Sequence, residues 1–356
     1  MRIAVLGVGL IGGSIGLAAR GAGSEVVGYD ADRDVLADAL DRGAVDRAAG
    51  SVAEAVEGAG AAFACAPVGA LPALVAEALA GAPADCVVTD VGSTKRAIAA
   101  AIEDERFIGG HPVAGLAVAG VQHARADLFD GAAWYLTPNR MSSGVLYERL
   151  HGLLVAFGAR PSAIDPESHD RLLASVSHLP HVLANVLVSL AARTRSREDE
   201  PLPSVGPSFR DATRVAGANS GIWTDIYVQN AEAIADEVDA AAARLGEVAS
   251  MLRARDAGAL RDWNEGARED RRRLLESEIA GAEVRELRVT VPNRPGIVAT
   301  LALALGRGGV NIVDMALAPA PDNSSGAITF WVAGEGAAER AAALIAEQGY
   351  PVGEDE

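Results

Sequence analysis

Four groups of polar side chains in this 356-residue chain have types and spacings suited to chemistry. His111 sits in Gly109-Gly110-His111-Pro112-Val113-Ala114-Gly115, in what reads as a loop after a strand. An imidazole changes protonation near neutral pH without special perturbation, so it suits removal of a hydroxyl proton. Ser93 lies in Asp90-Val91-Gly92-Ser93-Thr94-Lys95, after the apolar segment 86–89. Its hydroxyl could touch a ligand, or with Thr94 it could cap the helix that starts there. Arg210 and Arg214, in Ser208-Phe209-Arg210-Asp211-Ala212-Thr213-Arg214, carry the two-pronged guanidinium that binds carboxylates, and Asp211 could orient one of them. Ser177-His178-Leu179-Pro180-His181 places a proline inside a helical pattern, where it removes a backbone donor and favours a kink. His178 and His181 are three apart, but no third ligand accompanies them, and no metal site is expected.

The elements that must position these groups begin with a nucleotide cradle. Residues 3–6 read as a buried strand that runs into Gly7-Val8-Gly9-Leu10-Ile11-Gly12 and then a helix. A second strand, 25–29, ends in Asp30 about 20 residues later, the context a dinucleotide fingerprint requires. Gly7 permits the tight turn, Gly9 lets backbone approach a pyrophosphate, and Gly12 lets the helix pack on the sheet. Leu10 and Ile11 open the helix whose N-terminus attracts phosphate. Asp30 would accept from ribose hydroxyls and repel an added 2′-phosphate, which favours NAD; Arg33 keeps NADP open. Further alternation at 61–65, 71–79 and 86–89 makes the fold class α/β, a Rossmann-type doubly wound sheet. Ligands of such sheets lie beyond the carboxyl ends of the strands, which puts Cys65-Ala66-Pro67, the Ser93 loop and the His111 loop beside the cofactor.

Strand signals stop near residue 163. From 166 to about 280 the apolar positions follow a helical period, including Leu172, Leu173, Val176, Leu179, Val182, Leu183, Val186, Leu187 and Leu190. That is more apolar helix than a small neighbour can cover, which predicts an interlocked homodimer core. From Glu286 the pattern returns to short strands and helices. Three domains are expected: 1–163 nucleotide-binding, 164–281 all-α, and 284–356 small α+β.

The formal charge of −17 and the lack of a Lys/Arg stripe exclude a phosphate-backbone binder. Cys65 and Cys86 lie in separate apolar segments and form no metal or redox motif, which fits a reducing compartment. No uninterrupted apolar segment near the roughly 20 residues of a membrane span is evident, so no membrane partner and a cytoplasmic location are expected.

Together these segments resemble the prephenate dehydrogenase family. Its carriers are residues 7–14, 90–95, 110–115, 177–181, 210–214 and Trp223-Thr224-Asp225-Ile226, in matching order and spacing. The resemblance implies an NAD-dependent enzyme of tyrosine biosynthesis that converts prephenate to 4-hydroxyphenylpyruvate. In it His111 is the catalytic histidine at the ring hydroxyl and Ser93 hydrogen-bonds nearby to position it. Arg214 holds the ring carboxylate with Asp211 in support, and His181 and Trp223 line the pocket. Where family members often carry a glutamate after the His-Pro-x-Ala-Gly turn, this chain has Leu116-Ala117-Val118. The C-terminal segment resembles an ACT domain, with Asn293, Gly296, Asn311 and Ile312 as effector contacts and tyrosine as the effector. Two alternatives stay open. One is the arogenate-using enzyme; the other is a non-catalytic amino-acid and NAD sensor. A hydroxyacid dehydrogenase on the same fold is disfavoured, since the lysine that class carries on its helical domain has no match: Lys95 is the only lysine.

Overall fold

The computed structural model describes residues 1–115, 118–193, 204–278, 284–292, 297–320, 324–334, 336–350 and 352–353. The chain divides into two compact units, Met1–Ala242 and Ala243–Glu356.

In the first unit, β1 (Arg2–Leu6), α1 (Leu10–Gly21), β2 (Glu25–Tyr29), α2 (Arg33–Asp41), β3 (Arg47–Ala48), α3 (Val52–Val56), β4 (Ala61–Ala64), α4 (Leu71–Gly81) and β5 (Val87–Asp90) alternate along the chain. The five strands form one parallel sheet in the order β3-β2-β1-β4-β5. Strand periodicity sends alternate residues to opposite faces. Ile3, Val5, Phe63 and Val87 pack with Ile15 and Trp134 on one side, and Ala4, Leu6, Ala62 and Val88 pack with Val75 and Ala78 on the other. Both faces are covered, as the near-continuous apolar strands require. The register pairs Leu6 with Tyr29 and with Ala64, and Ala64 with Asp90. Gly7, Asp30, Cys65 and Val91 therefore leave the sheet along one edge.

After α5 (Arg96–Ala101) the chain does not simply extend that sheet. β6 (Gly109–Pro112), β7 (Ala133–Thr137), α6 (Gly144–Ala156) and β8 (Arg160–Ala163) follow, and the three strands form a separate sheet in the order β6-β7-β8. β6 and β7 are antiparallel, with His111 opposite Tyr135. His111 thus belongs to a strand rather than to the loop expected from sequence. The reason lies in Gly109 and Gly110: a Cβ on Gly110 would stand 2.7 Å from the Asp90 carbonyl oxygen and one on Gly109 2.3 Å from Thr137 Oγ1. Only glycines let this backbone lie flush against the end of β5 and against β7.

Helices complete the unit. α7 (Pro166–Leu173) is N-capped by Asp165, whose carboxylate accepts from the Ser168 amide. A π-helical turn, Ala174–His178, joins it to α8 (Leu179–Ala192). Pro180 falls in the first turn of α8, where the missing N–H costs little; the expected disturbance appears as the wide turn before it. The joined run Pro166–Ala192 is one helix long and apolar enough to cross a membrane by length and composition. The sequence reading missed it because His169, Asp170, His178 and His181 interrupt the apolar positions, and all four are buried against protein partners. Val186, Leu187, Val188 and Leu190 of α8 are exposed. α9 (Pro207–Thr213), α10 (Ser220–Gln229) and α11 (Ala231–Ala254) follow.

In the second unit α12 (Ala257–Glu278) precedes β9 (Val284–Pro292), α13 (Ile297–Arg307), β10 (Asn311–Pro319), β11 (Ser325–Ala333), α14 (Ala337–Glu347) and β12 (Val352–Gly353). The antiparallel sheet β10-β11-β9-β12 is a split βαββαβ arrangement. Val289, Val291, Leu301, Leu305, Ile328, Phe330 and Ile345 form its core with the two helices.

Candidate active site

The turn from β1 into α1 separates glycines that the protein itself needs from one that it does not. Gly7 has φ +96°, and its Cβ would meet the Cys65 carbonyl oxygen at 2.2 Å; a Cβ on Gly12 would meet the Gly7 carbonyl oxygen at 1.9 Å. Gly9 has no heavy atom within 4 Å of a Cβ position. Its surroundings are open, as a bound group approaching the backbone requires. α1 begins at Leu10 with no side-chain cap and no acidic residue in its first turn, so its free amides and dipole face that opening. Leu10 and Ile11 are half-buried beneath it. Asp30 is fixed at the end of β2: its Oδ2 accepts from the Val8 amide at 2.8 Å and its Oδ1 from the Asp32 amide at 2.9 Å. Arg33 is exposed at the first position of α2, and Ala66 and Pro67 leave β4 on the same edge. These residues fit a dinucleotide. Gly9→Ala is expected to melt like wild type while weakening NAD binding on the order of tenfold, about 1.4 kcal/mol. Gly12→Ala, whose methyl has no room, is expected to lower the melting temperature as well. Calorimetric titration and thermal melts distinguish the two, and equal behaviour would remove the distinction.

His111 is held from two sides. Its Nδ1 lies 2.9 Å from Nε2 of His169, and His169 Nδ1 lies 2.8 Å from Asp170 Oδ1. Neither His169 nor Asp170 was picked out from sequence; the available signal was a histidine and an aspartate on the face of α7 that also buries Leu173. From the other side, the fully buried Lys95 pairs with the fully buried Asp90, and Lys95 Nζ donates to the Gly110 carbonyl at 2.8 Å. Asp90 also accepts from the amides of Gly92 at 2.9 Å and Gly110 at 3.1 Å. Burial above all, then the neighbouring His169, Lys95 and His178, push the His111 imidazole well below its ordinary value of 6.5, so it is neutral at physiological pH. Burial likewise lowers the Lys95 ammonium, opposed by Asp90.

The helical part adds an aromatic wall. The His181 ring stacks on Trp223 at 3.5 Å between centroids and 5° between planes, and His178 meets the same indole edge-on at 6.0 Å. His181 Nδ1 contacts the Tyr227 hydroxyl, and burial lowers its imidazole. Its Nε2 is buried with no protein partner, as is Thr94 Oγ1. Buried polar atoms left unpaired carry a desolvation cost unless a ligand engages them. Asn230 Nδ2 bridges the Asp170 carbonyl at 2.8 Å and His178 Nδ1 at 3.2 Å, and burial drops the His178 imidazole to about 4. Through these contacts His111, His181 and Trp223 share one connected polar and aromatic cluster.

Other expected roles come out differently. Neither Ser93 nor Thr94 caps α5; the amides of Lys95 and Arg96 at its start are taken by the carboxylate of Asp170, at 2.7 and 2.9 Å. Among the described residues no hydrogen bond joins the half-buried Ser93 to His111, whose Nδ1 is engaged by His169 instead. No ion pair joins Asp211 to Arg214: α9 ends at Thr213, and both side chains are exposed on opposite sides of that break. Arg210 donates to the Val205 carbonyl at 3.0 Å, an intrahelical-end contact rather than a carboxylate grip. In the second unit Ile312 is half-buried against the core and Asn311 opens β10. Asn293 and Gly296 lie outside the described residues, as do Leu116 and Ala117.

Comparison with known proteins gives matches over most of the chain. Residues 15–161 match the family profile described as prephenate dehydrogenase, nucleotide-binding domain, and residues 165–265 match prephenate dehydrogenase, dimerization domain. A prephenate dehydrogenase of Bacillus subtilis (strain 168) is 28% identical over 91% of this chain and 90% of its own length. A cyclohexadienyl dehydrogenase of Zymomonas mobilis is 30% identical over 72% of this chain and 89% of its own. Among solved structures, the Aquifex aeolicus prephenate dehydrogenase in complex with hydroxyphenyl propionate and NAD+ superposes with a TM-score of 0.72 at 25% identity, covering 77% of this chain and 98% of that one.

Proposed function

The chain belongs to the prephenate dehydrogenase family, and on that premise we propose that it catalyses the NAD-dependent oxidative decarboxylation of prephenate to 4-hydroxyphenylpyruvate. The observation that carries the reading is the neutral His111, held in β6 one residue from the Gly110 backbone that Asp90 and Lys95 fasten to the cofactor edge of the sheet. NAD+, when bound in the cradle of Gly7, Gly9, Gly12 and Asp30, supplies the acceptor for the hydride that leaves the ring. His111 takes the proton of the ring hydroxyl, a contribution of about 10²- to 10⁴-fold in rate. The ring carboxylate departs as carbon dioxide, leaving its electron pair in the ring, and the proton returns to the phenolate oxygen; aromatisation makes the sequence irreversible. His181 and Trp223 offer a flat, largely dry wall for the ring, with His181 Nε2 free to bond it. Arg214 is exposed, with no partner among the described residues competing for its guanidinium, and is assigned to the carboxylate, and Ser93 to the substrate hydroxyl region. Orienting substrate between these groups contributes by proximity.

The exposed apolar face of α8 supports a homodimer built on the segment that matches a dimerization domain. We assign the βαββαβ part of the second unit to an ACT-type effector module with tyrosine as its effector, supported by the resemblance of residues 292–296 and 309–313. The second reading, arogenate as substrate, is favoured by the cyclohexadienyl dehydrogenase among the relatives. Both readings are tested by following NADH formation with each substrate. Prephenate is expected to give the larger kcat/KM by tenfold or more. A larger value for arogenate selects the second reading, and no NADH from either substrate overturns both.

A further inference from the structure

We propose that Asp170 and His169 act in series as positioning residues that set the tautomer of His111, so that His111 Nε2 presents a lone pair to the substrate hydroxyl. The inference rests on the role assigned to His111 above, while the hydrogen-bond chain that carries it exists without substrate.

The argument runs from one end of the chain to the other. Asp170 Oδ1 accepts from the Lys95 amide at 2.7 Å and Oδ2 from the Arg96 amide at 2.9 Å. Burial alone would raise this carboxyl, but the hydrogen bonds from His169 and the two amides outweigh it and hold it below its ordinary value. An ionised carboxylate has only lone pairs to offer. His169 Nδ1, 2.8 Å away, must therefore carry a proton, and a ring with that one proton offers Nε2 as an acceptor. That acceptor faces His111 Nδ1 at 2.9 Å. Two lone pairs do not meet at such a distance, so His111 Nδ1 is the protonated nitrogen and Nε2 the bare one. A neutral imidazole of the opposite tautomer would show the substrate an N–H and could not act as a base.

The same chain serves the reaction once a proton arrives. Nε2 receives the hydroxyl proton, and the imidazolium's Nδ1–H then donates a charge-assisted bond toward His169, backed by the Asp170 carboxylate. No proton need cross to His169, because the one on Nε2 goes back to the phenolate oxygen after carbon dioxide leaves. The geometry also explains the placement of Asp170. Its carboxylate anchors the start of α5, and Lys95, the residue just before that helix, holds the carbonyl of Gly110. One side chain thus fixes both the ring and the backbone of the catalytic histidine. The T-shaped contact of Tyr135 with His169, at 5.7 Å, keeps the middle ring from turning.

The test combines a spectroscopic readout with kinetics. Long-range ¹⁵N–¹H spectra of the full chain labelled at its six histidines report which nitrogen of each ring is protonated. His111 is identified by the signal lost in His111→Asn. A pyrrole-type Nδ1 and pyridine-type Nε2 at His111 are expected; the reverse pattern, as a doubly protonated His169 would impose, overturns the proposal. Asp170→Asn can offer its amide N–H to His169 and reverse both tautomers. It should lower kcat on the order of 10³-fold, as misdirected tautomers do when an orienting carboxylate is replaced in other enzymes, with KM and the NAD dissociation constant within about threefold. His169→Gln keeps an acceptor oxygen near His111 and should retain at least tenfold more kcat than His169→Leu. A kcat within threefold of wild type in Asp170→Asn, equal losses in the two His169 variants, or parallel losses of NAD affinity and melting temperature would each leave the pair with a structural role only. The wild-type spectrum decides the matter if a variant fails to fold. If wild type turns over neither ring substrate, the functional reading falls while the spectrum still judges the relay.

Discussion

His111→Asn should lower kcat by about 10²- to 10⁴-fold while leaving the NAD dissociation constant within about threefold. Asparagine fills similar space in β6 and can still reach toward His169, but it cannot take a proton at neutral pH. The cradle of Gly7, Gly9 and Asp30 belongs to other strands, so cofactor affinity has no cause to change. A parallel fall in cofactor affinity would show the histidine to be structural. The same residue fixes the acid limb of the pH profile. The unperturbed imidazole titrates near 6.5, and burial above all, with His169, Lys95 and His178 beside it, depresses His111 well below that. A base is lost as pH falls through its own, depressed value. kcat/KM is therefore expected to stay level from pH 8 down through 6.5 and to decline only at more acid pH. A decline centred at 6.5 or above would contradict the buried, neutral environment described for it.

Lys95→Met should cost about 3–5 kcal/mol of stability, because it leaves the carboxylate of Asp90 buried without its counter-ion. Lys95 and Asp90 are both 0% exposed, and no solvent can replace the lost partner. The change also releases the Gly110 carbonyl next to His111. For a unit of this size the melting temperature should fall on the order of 10 °C. The double variant Asp90→Asn, Lys95→Met removes both charges and should recover part of the loss, since the single Asn oxygen can still accept from one of the two amides, Gly92 or Gly110, that bond the two carboxylate oxygens. A single-variant loss under about 1 kcal/mol, or a double variant no better than the single, would mean the pair is not the clamp described.

The readable parts of the sequence were those whose signal is local. Gly7, Gly9, Gly12 and Asp30 are spaced by the geometry of one strand, turn and helix, and the structure gives each a distinct surrounding within that unit. The alternation of strands and helices, the helical period from 166 onward and the return to short strands near 284 likewise follow from side-chain period alone. The partners of His111 were not readable. Ser93, three residues from the sheet and rich in capping tendency, looked like its neighbour; the ring is instead met by His169, 58 positions further on. Capping of α5 by its own Ser93 or Thr94 is one of two readings left open by the sequence, and the amides at its start are instead taken by Asp170 from a different helix. Asp211 and Arg214 have helical spacing, yet the helix stops between them.

Sequence by itself determined that this chain builds a dinucleotide cradle, a long apolar helical segment and a small α+β module, because each depends on periodicity and turn chemistry within a few residues. Tertiary structure alone decided which side chains face His111. Hydrogen bonds between β6, α5 and α7 form only when the helical segment packs on the sheet, and nothing in the spacing of residues 95, 111, 169 and 170 specifies that meeting.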